Sequence, residues 1–138
     1  MPDDVAETIR LGIAAGVAGG SIEDMAPDRS LYPLDMAKAR IEAAAEVAHS
    51  GEVSFVLTAR AENYLVGDPS LRHVIERLQA YQDAGADVLY APGLTDIDEI
   101  AELVRSVDRP INVLAGLPGH TLTVDQLAAV GVKRISTG

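Results

Sequence analysis

Helical runs alternate with short apolar runs along the chain, and glycine or proline separates them. Val5, Ile9 and Ile13 recur at helical spacing until Ala15-Gly16, where glycine can take the left-handed conformation that ends a helix. Residues 17–22 then read as a small, buried strand closing on Glu23-Asp24. Leu34, Ala37, Ile41, Ala44 and Ala48 mark a second helix, Gly51 follows, and 53–59 reads as a strand. Ser70 caps a third helix bearing Leu71, Val74, Ile75 and Leu78, Ala84-Gly85 stops it, and 86–90 is the next strand. A fourth helix carries Ile97, Ile100 and Val104. Arg109-Pro110 breaks it, because proline cannot continue the hydrogen-bond ladder, and 111–114 follows as a strand. Thr123-x-x-Gln126 is a capping box opening a short fifth helix, stopped by Gly131 ahead of a last strand at 132–136.

Five helices alternating with five strands predict an α/β fold with a parallel sheet. Segments such as Ser54-Phe55-Val56-Leu57 and Val88-Leu89-Tyr90 suggest strands that are apolar on both faces, as helix-covered sheets require. The 138 residues read as a single domain, without a linker or low-complexity segment.

Charge and composition narrow the choice of partners. Asp and Glu number 21 against 11 Lys and Arg, a formal net charge of -10. Such a domain repels phosphate backbones, so no nucleic-acid partner is expected. The absence of cysteine rules out disulfides, thiolate metal sites and a cysteine nucleophile within this chain. No apolar run approaches the ~18 residues that suggest a membrane span. Met1-Pro2-Asp3-Asp4 lacks the basic start and apolar core of a signal peptide, so a soluble, cytoplasmic protein without a membrane partner is expected.

In parallel α/β folds the chemistry collects at the carboxyl ends of the strands. Those ends here are Glu23-Asp24, Arg60-Ala61-Glu62-Asn63, Tyr90-Ala91-Pro92-Gly93, Ala115-Gly116 and Ser136-Thr137-Gly138. Glu23 follows Ser21-Ile22 without a turn residue, and a carboxylate held in a strand wants a cation, a metal or a cluster of donors. The plainer reading is a cap on the next loop. Arg60 offers a planar fork suited to carboxylate or phosphate, with an ion pair to Glu62 or Glu23 as its structural alternative. Gly116-Leu117-Pro118-Gly119 could shape an anion-binding loop or be a tight turn. His49, His73 and His120 are isolated, and packing suits Tyr32 and Tyr64 better than a pocket.

Several segments then look familiar. Gly19-Gly20-Ser21-Ile22-Glu23-Asp24 resembles the strand-four motif of the isocitrate lyase and phosphoenolpyruvate mutase superfamily, and Leu57-Thr58-Ala59-Arg60-Ala61-Glu62 its strand-five arginine motif. Ala80-Tyr81-Gln82-Asp83-Ala84-Gly85-Ala86-Asp87 is similar to the segment leading into strand six. Arg109-Pro110-Ile111-Asn112-Val113 and the stretch from Leu127 to Ser136 resemble strands seven and eight. The nearest subgroup is the carboxyphosphonoenolpyruvate phosphonomutase-like, or 2-methylisocitrate lyase-like, proteins.

The resemblance implies a (β/α)8 TIM-type barrel, of which this chain is the C-terminal portion supplying roughly strands four to eight. It implies Mg2+ (or Mn2+) stabilising the enolate of a pyruvate-like 2-oxo acid while a P–C or C–C bond forms or breaks. Glu23 and Asp24 would serve the metal, Glu23 through water. Arg60 would grip a carboxylate or phosphonate, Glu62 would support it as a catalytic residue, and Asn112 would touch substrate. Two departures stand out. Residues 25–32 hold neither the Cys nor the His that the lyase branches carry in this loop. The Asp-x-Asp strand that binds the metal directly in this superfamily precedes the first helix and has no counterpart here.

The resemblance leaves two readings open, a Mg2+-dependent mutase-like or lyase-like enzyme or a catalytically inactive remnant of one, and the 138-residue length adds a third, a flavodoxin-like signalling domain. The last fits poorly, because strand three ends without an Asp and strand five is not followed by a Lys. A partial barrel exposes two strand edges, so a homo-oligomer or a poorly soluble chain is expected. Light scattering on the purified chain checks this, and a stable monodisperse monomer would contradict it.

Overall fold

A computed structural model describes residues 1–116, 119 and 121–137. Five strands, β1 (Gly19–Glu23), β2 (Val56–Arg60), β3 (Val88–Tyr90), β4 (Ile111–Ala115) and β5 (Arg134–Thr137), pair in parallel in sequence order. Helices α1 (Pro2–Ala14), α2 (Leu34–Ala48), α3 (Leu71–Asp83), α4 (Ile97–Ser106) and α5 (Val124–Ala129) alternate with them, and a 3₁₀ turn spans Asn63–Val66. Sequential order of parallel strands with helices between them is barrel topology, and the sheet forms a half-barrel.

Alternation along each strand sorts the side chains into two layers. Ile22, Leu57, Ala59, Leu89, Ile111 and Val113 face outward and are buried under the helices. The helices answer with Val5 and Ile9, Ile41 and Ala44, Val74, Leu78 and Tyr81, Ile100 and Leu103, and Leu127. The opposite face is concave and more polar than the sequence suggested. Ser21, Thr58, Arg60, Tyr90, Asn112, Leu114 and Ser136 line it, so the strands are apolar chiefly on the helix side.

The elements fall where the periodicity puts them, with shifts at their ends. Strand β2 begins at Val56, not at residue 53, because its pairing with β1 starts at Gly19 opposite Val56. Val53 is left exposed. Helix α4 stops at Ser106, three residues before Arg109, as Val107 turns to extended backbone. Both caps are made as expected: Ser70 accepts from the His73 amide, and Thr123 with Gln126 closes the capping box. Two of the three histidines expected to stand alone have carboxylate partners. His49 meets Asp87 at 3.0 Å and His73 meets Asp68 at 3.0 Å. Leu117, Pro118 and His120, including part of the candidate anion loop, lie outside the described residues. Among the described residues no helix is long and apolar enough to cross a membrane.

Gly85 allows α3 to turn into β3 beside α2. Its φ is +103°, and a Cβ there would lie 2.8 Å from the Ala45 Cβ. Gly85→Ala combines left-handed strain with a clash against the Ala45 methyl and is expected to cost about 1–3 kcal/mol. The check is a lower urea midpoint at unchanged slope.

Candidate active site

The inner face brings together residues that are far apart in sequence. Register places Glu23 opposite Arg60, Arg60 opposite Tyr90, Tyr90 opposite Asn112, and Asn112 opposite Arg134. These five positions form one transverse row, with neighbours about 4.8 Å apart as in any sheet. The trough that the inner face walls has a volume of about 780 Å³.

Arg60 is the most constrained member of the row. Its Nε donates to Glu62 Oε1 at 2.7 Å, its Nη2 lies 3.6 Å from Glu23 Oε2, and its guanidinium sits 5.3 Å from the centre of the Tyr90 ring. Burial alone would lower the Arg60 pKa, but the Glu62 and Glu23 carboxylates outweigh it and push the pKa further up. Glu62 has no contact with solvent, and its second oxygen, Oε2, has no hydrogen-bond partner among the described residues. Burial raises its pKa above the ordinary value, against the opposing pull of Arg60. Glu23, by contrast, keeps 45% of its side chain exposed. Of the two carboxylates beside Arg60, one is dry and committed, and the other is open.

Asn112 is buried, donates from Nδ2 to Ser136 Oγ at 2.9 Å, and leaves Oδ1 unpartnered. Arg134 stands next in the row, is exposed, and makes no ion pair among the described residues. The sequence places Asp24 beside Glu23 as a metal carboxylate, but its side chain is engaged elsewhere. It is 3% exposed; Oδ1 accepts from the Glu62 amide at 2.9 Å, and Oδ2 accepts from Tyr81 Oη at 2.5 Å and Arg77 Nη1 at 3.1 Å. The described residues thus bring Glu23, Arg60, Glu62, Tyr90 and Asn112 to one face, while Asp24 is turned into the layer beneath α3.

Mg2+ wants several oxygens and keeps some of its waters. Glu23 can supply one such oxygen. Asp24 spends its oxygens on donors, and no cluster of three metal-ligating side chains exists among the described residues. These residues fit one corner of a metal site, not a whole one.

Sequence reasoning missed Arg77, Tyr81, Ser136 and Arg134. Arg77 had a visible signal: it lies three residues after Val74 and one before Leu78, so a cation sits beside the buried stripe of α3. Arg134 and Ser136 could be placed on the inner face only after the register of β5 was known.

The loop after β1 is a closed turn. Met25 bridges Leu31, Asp28 accepts from Ser30, and Arg29 takes a left-handed φ of 66° at its tip. Asp28 is held below its usual pKa by the Ser30 hydroxyl and amide. Tyr64 packs as expected, giving its hydroxyl to Glu99; burial first, and that carboxylate second, push its pKa up to about 12.

The raised pKa of Glu62 has a consequence for stability. A group whose folded pKa lies above its unfolded value favours the fold at low pH and loses that contribution as pH rises through the folded pKa. The stability difference between wild type and Glu62→Gln should therefore shift against wild type from about pH 4 to about pH 7. Urea unfolding across that range checks the sign.

The residues of the chain match known proteins along their whole length. The family model described as phosphoenolpyruvate phosphomutase matches residues 1–138. The 2-methylisocitrate lyase of Escherichia coli (strain K12) is 31% identical over 139 residues, covering 94% of this chain and 46% of that protein. A lyase/mutase-type protein from Burkholderia cenocepacia J2315 superposes with a TM-score of 0.96 at 55% identity, over 99% of this chain and 50% of that one. A phosphonopyruvate hydrolase crystallised with oxalate and Mg2+ superposes with a TM-score of 0.82 at 25% identity, over 99% and 49%. The chain thus spans about half the length of these relatives. Its matched family, its half-barrel and its ordered motifs agree: the chain belongs to the phosphoenolpyruvate phosphomutase family of the isocitrate lyase/phosphoenolpyruvate mutase superfamily.

Proposed function

We propose that the row on the inner face holds the carboxylate end of a small 2-oxo acid, or of the enolate derived from it, in a Mg2+-dependent mutase-like or lyase-like reaction. The observation that carries this reading is Arg60, a cation aligned by the buried Glu62 and facing an open trough in a member of this family. Arg60 would bind the oxoanion with its outer nitrogens, since Nε is already given to Glu62. Glu62 keeps the fork from rotating and is the group behind the binding residue. Asn112, adjacent in the row and carrying an unpartnered Oδ1, would accept a hydrogen bond from a bound hydroxyl or water.

Glu23 would hold Mg2+ through water, being the open carboxylate beside Arg60. When bound, the metal supplies positive charge where an enolate oxygen develops. The loop at 25–33 brings no thiol or imidazole to this mouth. Proton transfer within this chain would therefore fall to Glu23.

The metal corner also supports a second reading. Glu23 as the one open carboxylate beside Arg60, with no cluster of three metal-ligating side chains among the described residues, suits a chain that retains the oxoanion grip without turnover, an inactive remnant of the family. Assays with phosphonopyruvate, oxaloacetate and methylisocitrate separate the two, since any Mg2+-dependent rate removes the remnant.

Oxalate, a planar dianion that resembles a 2-oxo acid enolate, is the binding probe. Calorimetric titration of the full chain is expected to show oxalate binding that depends on Mg2+. Arg60→Met should weaken it about a hundredfold, and Glu23→Gln should weaken the Mg2+ dependence. Oxalate affinity unchanged by Arg60→Met overturns the assignment.

A further inference from the structure

Asp24, Arg77 and Tyr81 form a buried polar assembly that the proposed chemistry does not touch. Arg77 and Tyr81 lie on α3, in the helical layer, and Tyr81 has no solvent exposure. Both donate to Asp24 Oδ2, and Tyr81 Oη also accepts from Arg77 Nη1 at 3.1 Å. The second Arg77 nitrogen donates to the Tyr32 carbonyl at 2.9 Å, while the Tyr32 amide donates to the Asp24 carbonyl at 2.9 Å. Asp24 Oδ1 takes the Glu62 amide. Burial, then the Asp24 carboxylate, pushes the Tyr81 phenol well above its usual range, so it remains a donor.

We propose that Arg77 and Tyr81 are positioning residues for Arg60, acting through the Asp24 carboxylate and the Glu62 backbone. The path is continuous and every link is a hydrogen bond: Tyr81 and Arg77 to Asp24, Asp24 to the Glu62 amide, and the Glu62 carboxylate to Arg60 Nε. Fixing both oxygens of Asp24 fixes the plane of its carboxyl group. That plane sets where the Glu62 amide sits, and so where the Glu62 side chain meets the guanidinium. The same assembly also ties down the end of the 25–33 loop through Tyr32.

A buried ion pair is a poor device for stability alone, because apolar side chains of similar volume do as well or better. It is a good device for holding one geometry among several. Asn63, next in the chain, is buried too and gives its amide to Asp68, so the residues after Arg60 are anchored at two consecutive positions. Asp24 accordingly acts beneath the site, where the sequence reading put a metal ligand.

The inference deepens the proposed function, yet its geometric content can be read without any ligand. The experiment follows hydrogen exchange at the Arg60 side-chain Nε–H by ¹⁵N NMR in the full chain. Tyr81→Phe is expected to speed that exchange about tenfold, the factor lost with one charge-assisted hydrogen bond, while the Ile41 and Leu103 backbone amides keep their wild-type rates. Tyr64→Phe removes a similar hydroxyl-to-carboxylate bond, the one to Glu99, and is expected to leave Arg60 unchanged. Arg77→Lys keeps the charge but cannot reach Asp24 and Tyr32 together, and serves if Tyr81→Phe does not fold. An unchanged Arg60 signal in these variants overturns the proposal, as does acceleration of every amide alike, which marks a merely structural role. Oxalate titration in the presence of Mg2+ is the second readout. Equal weakening by Tyr81→Phe and Arg77→Lys supports positioning, whereas no oxalate binding by wild type overturns the proposed function and leaves the exchange result to decide this one.

Discussion

A carboxylate cut off from water must either find donors or give up its charge, and Asp24 finds three. Much of the site follows from that requirement. The donors come from α3 and from the residues just after β2, so the carboxylate ties a helix to a strand end. The strand end carries Arg60 and Glu62, and Glu62 is both buried and held to Asp24 by its amide. An isolated buried carboxylate would destabilise this region. Surrounded by an arginine, a phenol and an amide, it organises it.

The half-barrel imposes the second constraint. One face of the sheet packs under helices, and its buried outward positions are filled by aliphatic residues or alanine. The inner face is free to carry Ser21, Thr58, Arg60, Asn112 and Ser136 because its wall opens on a trough. Parallel pairing in sequence order then aligns residues from five strands in a single row. No local segment contains this row. It is a product of register, and a one-residue slip of β4 would exchange Asn112 for Ile111 or Val113 on the inner face.

Legibility followed this division. The helices were readable because their apolar stripes repeat locally, and the caps at Ser70 and Thr123 are made by neighbours in sequence. Strand starts were less readable: nothing in Val53-Ser54-Phe55 tells that β1 offers no partner before Gly19. Arg60 and Glu62 were visible as charges at a strand end, and their pairing needs only two residues of chain. The position of Asp24 was not. Its partners lie 38, 53 and 57 residues away, and an acidic residue beside Glu23 reads as a second metal ligand until those partners are in place. The expectation of strands apolar on both faces failed for a related reason. Alternation is hidden when the inner face uses small or amphipathic residues such as Ser21, Thr58 and Tyr90.

Charge explains why the two carboxylates flanking Arg60 differ. Glu62 holds the inner nitrogen and is shut off from solvent, so its charge serves Arg60 alone. Glu23 lies farther off, at 3.6 Å, and remains half exposed. If both were bonded as closely as Glu62, the arginine would have no electrostatic reason to take a further anion. With one close and one distant, the guanidinium keeps outer donors and residual positive potential. The open Glu23 can turn towards a cation without leaving Arg60 unpaired. Arg134, without an ion-pair partner among the described residues, adds a second positive charge at the far end of the same row. The trough therefore carries local positive charge of the kind a small anion needs, despite the chain's formal net charge of -10. The global charge describes the solvated helix faces. The local arrangement at the carboxyl ends of β1 and β2 determines what the chain can bind.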